Sequence, residues 1–150
     1  AVEQSNNWSD VLLEPAVPMT VTSKLSFKIN KLSNIMVGVC YRNVVQQKGY
    51  SVYGTNTSNA AQIGNGMYAL HVNGNCIYSH SKKEDNGKQC PLQFVTGDTV
   101  TVELDPVSGR VTYSKEGSVP FVQETSIRST SSEPVHFCLA MADSDVSILP

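Results

Sequence analysis

Along the chain, apolar and polar residues trade places with a period of two, and the alternation restarts at short intervals. Leu25-Ser26-Phe27-Lys28-Ile29 alternates as a half-buried strand must, whereas Ile35-Met36-Val37-Gly38-Val39-Cys40 is a continuous apolar run suited to a strand covered on both faces. Residues 30–34 between them are turn-like. Gly66-Met67-Tyr68-Ala69-Leu70-His71-Val72 alternates again and runs into Asn73-Gly74, a strong hairpin signal, before Cys76-Ile77-Tyr78. The clearest pair follows. Thr99-Val100-Thr101-Val102-Glu103-Leu104 points its valines and leucine inward, Asp105-Pro106-Val107-Ser108-Gly109 turns, and Arg110-Val111-Thr112-Tyr113-Ser114 returns. Lys115-Glu116-Gly117 then leads to Val119-Pro120-Phe121-Val122. Val135-His136-Phe137-Cys138-Leu139-Ala140-Met141 and Val146-Ser147-Ile148-Leu149 flank a last turn at Ala142-Asp143-Ser144. No stretch of a dozen residues carries an uninterrupted helical period, so the pattern predicts an all-β domain, a sandwich or a barrel.

Two segments break the rhythm by being long and polar. Residues 43–65 are rich in Gln, Asn, Ser, Thr and Gly, and residues 79–89 contain Lys82-Lys83-Glu84-Asp85-Asn86-Gly87. Loops of that length in a compact domain are usually binding loops or disordered insertions. No repeat, linker or internal boundary interrupts the 150 residues, which is the size of one domain spanning 1–150.

Composition narrows the function. With 40% hydrophobic and 16% charged residues the chain has ordinary globular content. Its net charge is -2, and of eleven Lys and Arg residues only Lys82 and Lys83 are adjacent, so the basic stripe that nucleic-acid phosphates require is missing. No apolar run approaches the ~20 residues of a membrane span, and no membrane partner is expected. Lacking an initiator Met and stopping at Ile148-Leu149-Pro150, the chain is expected to be a fragment of a longer protein or a processed form. Cys40, Cys76, Cys90 and Cys138 show no C-x-x-C spacing, and three of them lie in apolar runs; reduced, buried thiols and an intracellular, cytoplasmic setting are expected. Asn7-Trp8-Ser9 and Asn56-Thr57-Ser58 are formal glycosylation sequons of a kind that arises often by chance.

Catalytic chemistry finds little footing. His71, His80, His136, Asp98, Asp105, Asp143 and Asp145 are the titratable candidates, yet no nucleophile elbow, His-Glu-x-x-His pair or phosphate loop accompanies them. His71 and His136 sit in alternating strands on positions that read as one face of a sheet. Asp98 beside Gly97, and Asp105 four residues before Gly109, are the residues that cap turns by accepting backbone N–H groups. Cys40 and Cys138, in apolar surroundings, are expected to be inert. Asp143-Ser144-Asp145 is the best metal candidate, but one carboxylate pair is a poor Ca²⁺ cage and a solvated turn is the simpler reading. No catalytic residue, metal site or cofactor is therefore expected.

The order of four segments resembles the SPRY domain over residues 25–149. Ile35-Met36-Val37-Gly38-Val39-Cys40 is similar to the family's apolar strand with a central Gly. Gly49-Tyr50, then Gly66-Met67-Tyr68-Ala69-Leu70 and Asn75-Cys76-Ile77-Tyr78-Ser79-His80, resemble its middle strands. Residues 94–105 followed by 109–117 are similar to its core motif, in which Gly-Asp opens a strand, Asp closes it and a Gly turn leads to the next. Residues 134–141 resemble the closing strands. The usual Trp-Glu pair is replaced by Ser26-Phe27-Lys28-Ile29, and Trp8 is the only Trp, so the likeness is to a divergent member. It implies a two-layer antiparallel β-sandwich of concanavalin-like, SPRY type, acting as a monomeric, non-catalytic module that binds a protein or peptide. Tyr50 and Met141-Ala142-Asp143 match the family's peptide pocket. Arg42 and Tyr53, from the same loop region as Tyr50, complete the expected contact set, although Tyr50-Ser51-Val52-Tyr53 also fits a strand. The rival from another class is a carbohydrate-binding lectin, which a Ca²⁺-dependent rise in melting temperature together with glycan binding would favour.

Overall fold

The structure, a computed structural model, describes residues 2–3, 9–18, 20–47 and 63–149. Among them β1 (Val2–Glu3), β12 (Asp145–Leu149), β3 (Ser23–Lys31), β8 (Thr99–Asp105), β9 (Arg110–Ser114) and β10 (Phe121–Glu124) form one sheet in that order. The other runs β2 (Ser9–Leu12), β11 (Val135–Ala142), β4 (Asn34–Tyr41), β5 (Met67–His71), β6 (Cys76–Tyr78), β7 (Lys88–Gln89). All pairings are antiparallel, and the sheets stack as a sandwich rather than closing into a barrel.

Period-two patterning explains the first sheet. On β8, Val100, Val102 and Leu104 are buried while Thr99, Thr101, Glu103 and Asp105 are only partly so. Phe27 and Ile29 of β3 and Val111 and Tyr113 of β9 join them in the core between the sheets. Each such side chain, fully buried, contributes about 1.5–3 kcal/mol. Polar Lys24, Ser26, Lys28 and Thr112 occupy the opposite face, where Ser26 and Thr101 share a 2.8 Å hydrogen bond.

The second sheet is covered on both sides, as its continuous apolar runs require. One face supplies Ile35, Val37, Val39, Tyr68, Leu70, Phe137 and Leu139 to the shared core. The other carries Met36, Cys40, Met67, Ala69, Cys138 and Ala140, clustered with Tyr78 and with Val45. Val45 belongs to α1 (Arg42–Gln47), a helix within the stretch that the polar composition marks as loop. Six residues are too few to display a helical period, and packing of Val45 rather than propensity holds the turn.

The turns follow the local chemistry expected of them. Gly97 adopts φ +100°, and Asp98 Oδ2 accepts the Val95 N–H at 2.9 Å and pairs with Lys115 Nζ at 3.2 Å. Gly109 adopts φ +76°, while Asp105 accepts the Val107 N–H at 3.0 Å and the Ser108 hydroxyl at 2.8 Å. Those bonds hold both carboxyls below the usual carboxylate range, chiefly through the Val95 N–H for Asp98 and the Ser108 hydroxyl for Asp105. All four cysteines are free, and burial pushes the Cys138 and Cys90 thiols up.

His71 gives the fold a pH dependence. Burial lowers its pKa from the ordinary 6.5, against a side-chain hydrogen bond to Asn73 that raises it. The unfolded chain therefore binds a proton near pH 6.5 that the native state refuses, so stability falls as pH drops below that value. Asp98 and Asp105 act at lower pH: their contribution is present above their ordinary 3.8 and is lost as pH falls through their lowered values. Melting curves are expected to be flat above about pH 7, to decline as pH falls below about 6.5, and to fall again below about pH 4. His71→Gln should erase the first decline alone; an unchanged profile would remove His71 from the account.

Candidate functional site

The end of the sandwich reached by the C-terminus of β4 gathers groups from four parts of the chain. Tyr41 closes β4, its N–H bonded to the Gly66 carbonyl at 2.8 Å, and Arg42 opens α1 with its N–H on the Pro134 carbonyl at 3.1 Å. The Gly66 N–H donates to His80 Nδ1 at 2.7 Å, which makes Nδ1 the unprotonated nitrogen of a neutral ring. Tyr41 and Tyr68 meet that ring edge-on at centroid distances of 5.4 and 6.0 Å. Tyr68 donates its hydroxyl to Ser81 Oγ at 2.8 Å, and Tyr41 Oη accepts the Arg128 N–H at 3.3 Å. Burial raises the Tyr41 pKa, so it remains a neutral phenol. Above this frame stand partly exposed Arg42, 3.4 Å from Glu14, and the loop 79–87. The loop closes on itself: Asn86 Oδ1 accepts the Ser79 N–H at 2.6 Å and Ser79 Oγ accepts the Lys82 N–H at 3.0 Å. Lys82, Lys83 and Glu84 are left facing solvent.

The expected contact residues do not all meet here. Tyr50 and Tyr53 lie outside the described residues. Register pairs Tyr41 with Val135 and Asn34 with Ala142, so Arg42 and Asp143 stand at opposite ends of β4, roughly 30 Å apart at ~3.3 Å per residue. Met141 and Ala142 are 1% and 3% exposed, because β11 is covered on both faces; their side chains belong to the interior and not to an open surface. Asp143 is exposed at φ +49° and pairs with Lys31 at 2.9 Å. Asp145 accepts Asn30 Nδ2 at 3.1 Å, and buried Ser144 accepts the Ser33 and Asn34 N–H groups at 3.0 and 2.8 Å. The Asp143-Ser144-Asp145 turn thus ties two loops together. Among the described residues no group of three His, Cys, Asp or Glu is placed to hold a metal ion. His71 and His136 do share a face of the second sheet, opposite Met36 and Cys40; His136 is buried with Nδ1 3.0 Å from the Leu13 carbonyl.

No family model matches the chain, and no curated protein matches it. Solved structures do. The SPRY domain of human HERC1 aligns over 96% of this chain and 80% of its own, with a TM-score of 0.62 at 18% identity. The TRIM65 PSpry domain aligns over 94% and 69%, with a TM-score of 0.63 at 16% identity. The chain has the SPRY fold.

Within this SPRY sandwich the structure adds residues that the sequence concealed. Tyr41 stood out only as the residue before Arg42 at the start of the polar segment, and Tyr68 as a strand residue, since alternation fixes the face of a side chain but not its place at a sheet's end. His80 stood out only as a titratable group, and Glu14, in a Pro-flanked segment without period, gave no signal. Asp98 and Asp105, weighed and set aside as catalytic acids, sit at opposite ends of β8, each committed to its own turn.

Proposed function

We propose that this chain is a non-catalytic protein-interaction module that recognises a peptide or a partner's surface through the end carrying Arg42, His80 and the loop 79–87. The observation that carries the reading is that buried Tyr41 and Tyr68 both pack on His80 at the end of β4 that Arg42 follows, so that a guanidinium and a self-closed loop are presented at that end at low entropic cost. Tyr50 and Tyr53, which follow α1 in sequence, are proposed as further contacts of the partner. The SPRY likeness supports interaction as the general role. A monomeric domain in an intracellular, cytoplasmic setting fits cysteines that remain thiols. Within the described residues no helix is long and apolar enough to cross a membrane.

The test captures partners on the immobilised chain, then measures a purified partner directly by calorimetry. Arg42→Ala and Tyr50→Ala are expected to weaken binding by about thirtyfold if each is an anchor, with Asp143→Ala neutral. Loss with Asp143→Ala, and none with the other two, would move the surface to the far end and overturn the assignment.

A further inference from the structure

An apolar groove of about 210 Å³ lies beside Glu14, between the segment that follows β2 and the starts of β3 and β11. Leu13, Val17, Leu25 and Phe137 form its walls, and Glu14 and Ser23 are the polar side chains that line it among the described residues. Val17 and Phe137 belong to the main core, so the groove opens directly onto the interior. An apolar cavity of ~150 Å³ suffices for benzene, so this one admits an aromatic or large aliphatic side chain. Its wall is fixed rather than collapsible. Leu13 N–H bonds to the Phe137 carbonyl at 2.9 Å, Val17 N–H to the Val135 carbonyl at 2.7 Å, and Pro15 and Pro18 restrict the chain between and after them.

The rim carries a charge pair. Glu14 Oε1 is 3.4 Å from Arg42 Nη1, longer than a good charge-assisted bond, and the side chains are 64% and 40% exposed. An ion pair so exposed is held weakly. Arg42 is the less exposed partner of the two. We propose that the groove is a recognition subsite for one large apolar side chain of a peptide whose next residue is acidic, the incoming carboxylate taking Arg42 from Glu14. The intramolecular Glu14–Arg42 pair is then a latch that the correct peptide opens. This rests on the interaction reading above and names the chemistry of the ligand.

The test is a ¹⁵N NMR titration of the whole chain with acetyl-Gly-Phe-Asp-Gly-amide and with its Phe-Asn, Phe-Lys and Ala-Asp analogues. The Phe-Asp peptide should shift the amides of Leu13, Val17, Phe137 and Arg42 and bind about two- to fivefold tighter than Phe-Asn. Glu14→Gln should tighten Phe-Asp by a similar factor, Arg42→Gln should equalise Phe-Asp and Phe-Asn, and Ala16→Phe should silence the groove. Shifts confined to other residues, Phe-Lys binding as well as Phe-Asp, or Glu14→Gln weakening Phe-Asp would each overturn the subsite. Should a purified partner depend on Arg42 and Tyr50 but ignore Ala16→Phe, and the peptide stay silent, the interaction reading stands and the subsite falls. Absence of any direct partner would instead bring down the interaction reading, whatever the peptide does.

Discussion

Gly38→Ala is expected to cost roughly 3 kcal/mol or more, enough to threaten a domain whose whole stability is ~5–15 kcal/mol. Gly38 sits in mid-β4, paired with Ala69 of β5 on one side and Cys138 of β11 on the other. A Cβ added there would press into the Tyr68 carbonyl oxygen and stand 2.7 Å from Ala69 Cα. Both are backbone, so no rotamer relieves the clash; β4 and β5 must part, and with them the ladder at the centre of the second sheet. Lack of space, not backbone conformation, demands the glycine. Gly97→Ala supplies the contrast, since nothing lies within 4 Å of its added Cβ and only φ +100° resists, at a cost of about 1–2 kcal/mol. Urea unfolding followed by circular dichroism should rank the two variants in that order. Equal midpoints would mean that the strands separate freely, and the close-approach argument would fail.

That glycine was visible in the sequence as the odd member of an apolar run, and much of the fold was equally open to reading. Alternation through Thr99–Asp105 admits only a strand with one buried face, and the unbroken runs at β4 and β11 admit only strands covered twice. Turn chemistry is local, so the capping roles of Asp98 and Asp105 were legible before any coordinates. α1 was not legible, because a one-and-a-half-turn helix pinned by Val45 leaves no period to detect.

The candidate site was harder to see, for a topological reason. Arg42 and Asp143 each follow the C-terminal end of a strand, and sequence gives no sign that β4 and β11 are antiparallel neighbours, which sends those ends in opposite directions. Met141 and Ala142 were misplaced by the same proximity to a turn: they are the last residues of β11 and inherit its double burial. What joins Arg42 to His80 is the pairing of β4 with β5 and of β5 with β6, long-range contacts that no local pattern encodes.

Polar residues inside the sandwich escape sequence reading altogether, and Gln123 is the case with consequences. It is 2% exposed on the inner face of β10, where it accepts the Tyr113 hydroxyl at 2.8 Å and donates Nε2 to the Tyr78 carbonyl at 2.8 Å. The side chain therefore bridges β9 of one sheet to β6 of the other through the core. Gln123→Leu keeps the bulk but strips that bond from a buried carbonyl and that acceptor from a buried hydroxyl, at about 1–3 kcal/mol for each group, so a loss of about 2–6 kcal/mol is expected. Tyr113→Phe removes only the donor to Oε1 and should cost about 1–2 kcal/mol. In the double variant the hydroxyl and the carboxamide that meet each other vanish together, so the total must be smaller than the sum. A double-mutant cycle by chemical denaturation is expected to give a coupling of ~1 kcal/mol. Additivity within ~0.3 kcal/mol would show that the two side chains act independently and that the inter-sheet bridge contributes nothing as a unit.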